Sequence, residues 1–181
     1  MADMAERATV GTDRTLRLLF WAAAAALLLA PAAAMRFTGE VSWTASDFLF
    51  AGLMLGTVGV AFEVTMRMTR SWTYRFAMGF AVLAAFLIVL ANGAVGMIGE
   101  EDNPYNLYFL AVIGLALVGA IASRLRAAPM SLVMLAAGAV HAALALGGMS
   151  VDVRGAAFSA VFAGFWLISA LLFRLAAREQ S

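Results

Sequence analysis

The stretch from Asn92 to Leu107, NGAVGMIGEEDNPYNL, contains the only dense group of carboxylates in the chain. Three of its residues are adjacent carboxylates, Glu100, Glu101 and Asp102, and Ca²⁺ and Mg²⁺ prefer oxygen ligands of this kind. Consecutive side chains diverge in extended and in helical backbone, so at most two of the three can reach one ion, whereas calcium takes about six to eight oxygens. The three carboxylates are therefore weak candidates for a metal site.

The same stretch has the pattern of a helix start. Asn103 suits the N-cap and Pro104 the first helical position, and acidic residues just upstream favour a helix N-terminus. Asn106 follows in the first turn. Asp47 has a similar setting, because it and Ser46 precede an apolar run whose first backbone amides one of them can cap. Asp47, Asn103, Pro104 and Asn106 are therefore predicted to have structural roles.

Three other polar residues, Glu63, Asn92 and His141, lie within apolar runs. Each shares a helix face with small or apolar residues three or four positions away, and such faces allow close approach of a second helix. These faces comprise Gly52, Gly56 and Gly59 with Glu63; Ala85, Val89, Gly96 and Gly99 with Asn92; and Ala137, Gly138, Ala145 and Gly148 with His141. We therefore expect the three polar side chains to point into a helix bundle.

Two interpretations of these three residues remain open. In the structural one, Glu63 pairs with Arg67 one turn away, and Asn92 and His141 each make an interhelical hydrogen bond worth about 1 kcal/mol. In the functional one, all three line a polar path through the membrane, where His141 can change charge near neutral pH.

Composition defines the setting of these residues. The chain has 181 residues, of which 64% are hydrophobic and 13% charged, and its mean hydropathy is +0.93. These values are typical of an integral membrane protein. There is no cysteine and one histidine, which excludes thiolate chemistry and a histidine-rich metal site within one chain. The sequence has no nucleotide loop, catalytic triad, zinc motif or haem-ligand pair, so it predicts no enzyme, no cofactor and no nucleic-acid partner.

Six apolar runs are long enough to cross a bilayer. They predict an all-α polytopic membrane protein, a bundle of six transmembrane helices arranged as three hairpins. The transmembrane domain covers residues 18–174, with polar tails at 1–17 and 175–181, and its spans are 18–35, 48–64, 76–98, 107–123, 130–149 and 156–173. The first run, with Pro31 before three alanines, also resembles a cleavable signal peptide, but the five spans that follow favour an uncleaved helix.

The arginines predict the orientation of the spans. When the six spans alternate, only Arg36 and Arg154 fall on one side of the membrane. The other ten fall on the opposite side: Arg7, Arg14, Arg17, Arg67, Arg70, Arg75, Arg124, Arg126, Arg174 and Arg178. By the positive-inside rule both termini are cytoplasmic, and the three adjacent carboxylates face outward.

The central stretch resembles the signature of a family of small, uncharacterised multi-span bacterial inner-membrane proteins. Trp43, Asp47, Phe48 and Glu63 are similar to that family's second-span pattern, whereas Gly93 and Glu100 depart from the expected bulkier and more neutral residues. The resemblance implies a bacterial cytoplasmic membrane and no established activity. The residues that carry it are Asn92, Ala94, Val95, Gly96, Ile98, Gly99, Glu101, Asp102, Asn103, Pro104, Asn106 and Leu107.

The sequence thus favours a non-enzymatic membrane protein of structural or accessory type. Its partners are the lipid bilayer and, through the small-residue faces, a second copy or another membrane protein. The alternative is a small transporter or channel with a polar path along Glu63, Asn92 and His141.

Overall fold

A computed structural model describes residues 2–180 of the chain, with side chains from residue 12 onward. Within that range it contains six α-helices, each long and apolar enough to cross a membrane, which confirms the predicted all-α polytopic fold. A 3₁₀ turn, Pro104–Asn106, leads into the fourth helix. The helices are α1 (Ala2–Phe37), α2 (Ala45–Met68), α3 (Trp72–Ala94), α4 (Leu107–Ala122), α5 (Ala127–Gly148) and α6 (Val153–Glu179).

Several helix boundaries differ from those predicted from hydropathy. Helix α1 is continuous from Ala2, so most of the predicted tail at 1–17 is helical, and α6 continues through most of the predicted tail at 175–181. Helix α3 ends at Ala94, four residues before the predicted end of the third span. Hydropathy does not register this end, because the residues beyond it, including Met97 and Ile98, are as apolar as the helix.

Helices α1 and α2 form one compact unit, Met1–Met68. The Phe20 and Phe62 rings stack with centroids 4.5 Å apart. The buried Gly59 lets α2 approach Trp21 closely, since a Cβ at this position would run into the indole ring. The two helices of this unit are therefore held by aromatic packing against a small residue.

The other four helices form a second unit, Thr69–Ser181. In this unit α6 packs against α3 and α5, and α4 packs mainly on α5. The largest buried side chains are Trp166, Phe109 and Phe173. Buried Ser169 of α6 donates a hydrogen bond to the Ala77 carbonyl of α3 at 2.8 Å. Close helix packing here combines large aromatic side chains with alanine faces.

Large apolar side chains also cover the outside of the helices. Val118 is 67% exposed and Ile121 77% exposed, and many leucines are also exposed. Exposed apolar surface of this extent is unfavourable in water and favourable in hydrocarbon. The chain is a multi-pass integral membrane protein.

Candidate functional site

The segment between α3 and α4, residues 95–106, is folded around one side chain, and we call it the α3–α4 junction. The Oδ1 atom of Asn106 accepts hydrogen bonds from the amides of Met97 at 3.0 Å and Ile98 at 2.8 Å. Its Nδ2 atom donates to the carbonyl of Glu100 at 2.9 Å. Asn106 is 4% exposed, and Met97 and Ile98 are fully buried. The asparagine therefore satisfies the two buried amides of Met97 and Ile98, which would otherwise lack partners.

Two glycines give the junction its backbone shape. Gly96 has φ +75° and Gly99 has φ +66°, which is the left-handed region that other residues rarely adopt. A Cβ on Gly96 would lie 2.7 Å from both Asn106 Nδ2 and the Glu100 carbonyl oxygen. The predicted helix face with Asn92 included both glycines, and that placement is wrong because the helix has already ended.

Asn103 and Pro104 connect the junction to α4. Asn103 lies at the N-cap of the 3₁₀ turn, where its Oδ1 accepts from the Tyr105 amide at 3.0 Å. Its Nδ2 donates to the Ile98 carbonyl at 2.9 Å. Pro104 opens the turn, where its missing N–H costs nothing. The chain thus enters α4 at a point fixed by side-chain hydrogen bonds.

Asp152 joins the junction to the start of α6. Its Oδ1 accepts from the amides of Arg154 at 3.0 Å and Gly155 at 2.9 Å, which makes it the N-cap of α6. Its Oδ2 accepts from the Gly99 amide at 3.1 Å. The hydrogen bonds from Gly155 and Gly99 lower the pKa of the Asp152 carboxyl, because they stabilise its ionised form.

Asp152 was not among the site residues predicted from the sequence, although an aspartate directly before an apolar run is a recognisable helix start. Its second bond, to Gly99, has no sequence signal, since it joins residues far apart in the chain. Tyr105 makes a comparable long-range contact, with its hydroxyl donating to the Leu144 carbonyl of α5 at 2.8 Å.

The three adjacent carboxylates take no part in this network through their side chains. Glu100, Glu101 and Asp102 are exposed, and Glu100 contributes only its backbone carbonyl. Among the residues that the structure describes, no group of three or more His, Cys, Asp or Glu side chains could hold a metal ion.

His141 is fully buried on α5. Its Nε2 lies 3.1 Å from the Ser159 carbonyl oxygen and 3.3 Å from the Ser159 hydroxyl of α6. Because a carbonyl can only accept, this geometry assigns the proton to Nε2 and leaves Nδ1 as an acceptor with no hydrogen-bond partner. The ring centroids of Phe109 and Phe162 are 4.9 Å and 6.3 Å away. The imidazole thus links α5 to α6 by a hydrogen bond, with two phenylalanine rings beside it.

Asn92 is half-buried, and its Nδ2 donates to the Ile88 carbonyl of its own helix at 3.0 Å. The amide nitrogen of Asn92 therefore bonds within its own helix and does not make the expected interhelical hydrogen bond. The buried face of α3 is Tyr74, Ala77, Ala81, Ala84, Ile88 and Ala91, next to the predicted one. The spacing of Ala77, Ala81, Ala84 and Ala91 could have indicated this face, whereas the prediction was based on Asn92, which lies beside it.

Glu63 lies in the first unit and has three polar neighbours. Its Oε2 is 3.4 Å from the Arg67 Nε one turn away and 3.6 Å from the Arg17 Nε of α1. Its Oε1 accepts from the Trp21 indole at 3.5 Å. The expected pair with Arg67 is present, and the two α1 partners are additional.

Asp47 is the third residue of α2 rather than its cap. Its Oδ2 accepts from the Thr44 amide at 2.7 Å, while its own amide donates to the Thr44 hydroxyl at 3.4 Å. This reciprocal arrangement is a capping box with Thr44 at the N-cap. The prediction that Ser46 or Asp47 caps the helix is therefore wrong by two or three positions.

The fold and these contacts define a multi-pass α-helical membrane protein with a hydrogen-bonded junction between two of its spans. No protein-family model, no curated protein and no solved structure matches the chain.

Proposed function

We propose that the chain is a non-enzymatic membrane protein of structural or accessory type. One observation carries this proposal: His141, the most deeply buried ionisable side chain of the spans, is fully enclosed between α5 and α6 and bonded to Ser159. Glu63 and Asn92 also have partners, in arginines and an indole for Glu63 and a helix carbonyl for Asn92. Side chains engaged in this way contribute to helix packing.

The proposed location is the bacterial cytoplasmic membrane, with both termini in the cytoplasm and with lipid and a second copy or another membrane protein as partners. The charges of the second unit support the orientation. One end of its helices carries Arg70, Arg75, Arg124, Arg126, Arg174 and Arg178 with one carboxylate, Glu179; the other carries Arg154 with Glu100, Glu101, Asp102 and Asp152. The resemblance of the stretch 92–107 to a family of bacterial inner-membrane proteins supports the proposed location in the bacterial cytoplasmic membrane.

A small transporter or channel is the second candidate. It is favoured by the Nδ1 atom of His141, which is buried and has no hydrogen-bond partner. An unsatisfied acceptor at membrane depth is costly, and functional sites are where such costs are tolerated. On this proposal the polar path would involve Glu63, Asn92 and His141.

Flux measurements on reconstituted protein distinguish the two candidates. Liposomes with the parent chain, Glu63→Gln or His141→Ala are loaded with a panel of ions, and efflux is compared with empty liposomes. Ser131→Ala is the matched control, because Ser131 bonds only within its own helix turn. A structural protein gives the efflux of empty liposomes in every case. Efflux through the parent that is lost in Glu63→Gln and His141→Ala, but retained in Ser131→Ala, would overturn the structural proposal.

A further inference from the structure

A groove of about 520 Å³ runs between the start of α3 and the end of α6. Its walls are Trp72 and Phe76 of α3 and Leu172 and Leu175 of α6, and its rim carries Arg178 and Glu179. Trp72 is 50% exposed and Phe76 58% exposed, so the walls are open to the surroundings. The volume lies within the range of about 300–1,000 Å³ found for ligand sites.

The position of the groove determines what surrounds it. It lies at one end of two membrane-spanning helices, where hydrocarbon gives way to headgroups, and Trp72 is the residue type enriched at that level. Apolar walls at this depth are in contact with acyl chains, whereas the charged rim is level with phosphates. A phospholipid has this same order of apolar and charged parts.

The charges around the rim favour an anionic lipid. Glu179 is drawn toward α3, where its carboxylate accepts hydrogen bonds from the hydroxyls of Ser71 at 3.0 Å and Thr73 at 2.6 Å. Arg178 lies beside it, and the Arg75 guanidinium lies 5.2 Å from the Trp72 ring centroid. Six arginines against one carboxylate occupy this end of the second unit. The local field is therefore positive, and arginine suits phosphate geometrically.

We propose that this groove binds one anionic phospholipid of the bilayer, with an acyl chain along Trp72, Phe76, Leu172 and Leu175 and the phosphate at Arg178. The site is independent of the proposed structural function, because it uses neither Glu63, Asn92, His141 nor the α3–α4 junction.

Fluorescence quenching by brominated lipid tests the proposal on the full chain in phosphatidylcholine nanodiscs. Brominated phosphatidylglycerol is added at increasing mole fraction, and the contribution of Trp72 is the difference between the parent and Trp72→Phe. We expect half-quenching of that contribution at a lower mole fraction than with brominated phosphatidylcholine. Arg178→Gln should raise the required fraction about fivefold, the effect of one arginine near an anionic surface.

Arg126→Gln is the matched control, because Arg126 is exposed at the same end of the unit and does not line the groove. It should leave the quenching curve unchanged. Leu175→Phe narrows the groove without changing charge and should weaken quenching by both lipids; far-ultraviolet circular dichroism verifies that each variant is folded.

Three results would overturn the proposal. Equal quenching by the two lipids would remove the selectivity for negative charge, and an equal effect of Arg126→Gln and Arg178→Gln would show diffuse surface attraction. Absence of Trp72 quenching would show that another part of the protein covers the groove.

Discussion

Asn106 and Asn92 are identical side chains in the same stretch of sequence, and their surroundings give them different consequences. Asn106 accepts from two buried amides and donates to one carbonyl, and it is 4% exposed. Asn92 is half-buried and donates to a carbonyl of its own helix, which the helix ladder also uses. The first side chain replaces missing backbone partners, and the second duplicates an existing one.

Asn106→Leu should therefore lower the free energy of unfolding by about 2–3 kcal/mol, because it leaves the Met97 and Ile98 amides buried without an acceptor. Asn92→Leu, the same substitution nearby, should change it by no more than about 0.5 kcal/mol. Denaturant unfolding in detergent measures both. Equal effects of the two substitutions would contradict the role given to Asn106.

The stability of the folded protein at low pH depends on Asp152. In the folded protein the pKa of this carboxyl is lower than its ordinary value of 3.8. As the pH falls, the unfolded chain is therefore protonated before the folded protein is. The stabilisation is complete above about pH 4 and is lost as the pH falls below that value through the folded-state pKa. We expect Asp152→Asn to flatten the acid decline of the melting temperature.

The control for Asp152 is Asp102→Asn, which changes an exposed carboxyl at the same end of the unit. That variant should retain the acid decline of the parent. If Asp102→Asn flattened the melting curve as much as Asp152→Asn, general charge repulsion rather than the bonds to Gly99 and Gly155 would explain the pH dependence.

At the scale of helices, glycines differ in whether another element lies against them. A Cβ on Gly148, at the end of α5, would lie 2.5 Å from Cδ1 of the fully buried Ile98. Gly164 of α6 has no atom within 4 Å of the same position. The close approach of α5 to the α3–α4 junction thus depends on Gly148.

Gly148→Ala should destabilise the protein by about 1–3 kcal/mol through overpacking. Gly164→Ala should be neutral or stabilise it by up to about 1 kcal/mol, since alanine is the better helix former. Thermal melting of both variants against the parent measures this difference. A stable Gly148→Ala variant would mean that Ile98 can move away, contrary to its burial.

The helices were predictable from the sequence because bilayer thickness imposes a length on each apolar run. The ends of α3 and α6 were not. Met97 and Ile98 are apolar but lie beyond the end of α3, and α6 continues past the predicted end of its span, through Arg174 and Leu175. The buried face of α5 could be derived from the spacing of Gly138, His141 and Gly148. That of α3 follows the spacing of Ala77, Ala81, Ala84 and Ala91, but the prediction was based on Asn92, which lies beside that face.

Long-range partners account for the rest of what the sequence did not indicate. Asp152 with Gly99, Tyr105 with Leu144 and Ser159 with His141 join segments that no local pattern relates. An amide hydrogen bond at a helix start can be predicted from neighbours, whereas these bonds depend on how α5 and α6 pack in the second unit.

For the whole molecule, the uneven distribution of charge predicts the orientation in the membrane. The chain has no cysteine, so labelling of a single introduced cysteine shows on which side of the membrane that position lies. In spheroplasts, an impermeant maleimide should label Asp102→Cys and should not label Arg126→Cys until the membrane is broken; both positions are exposed. The reverse pattern would contradict cytoplasmic termini.

The central claim is that the polar side chains of the spans serve helix packing rather than a path across the membrane. A high-resolution structure in a lipid nanodisc, with ordered water visible, tests it most directly. We predict that His141 bonds Ser159, lies near the Phe109 and Phe162 rings, and has no continuous file of water to either membrane surface. A water file that reaches Nδ1 of His141 from a surface would contradict the claim.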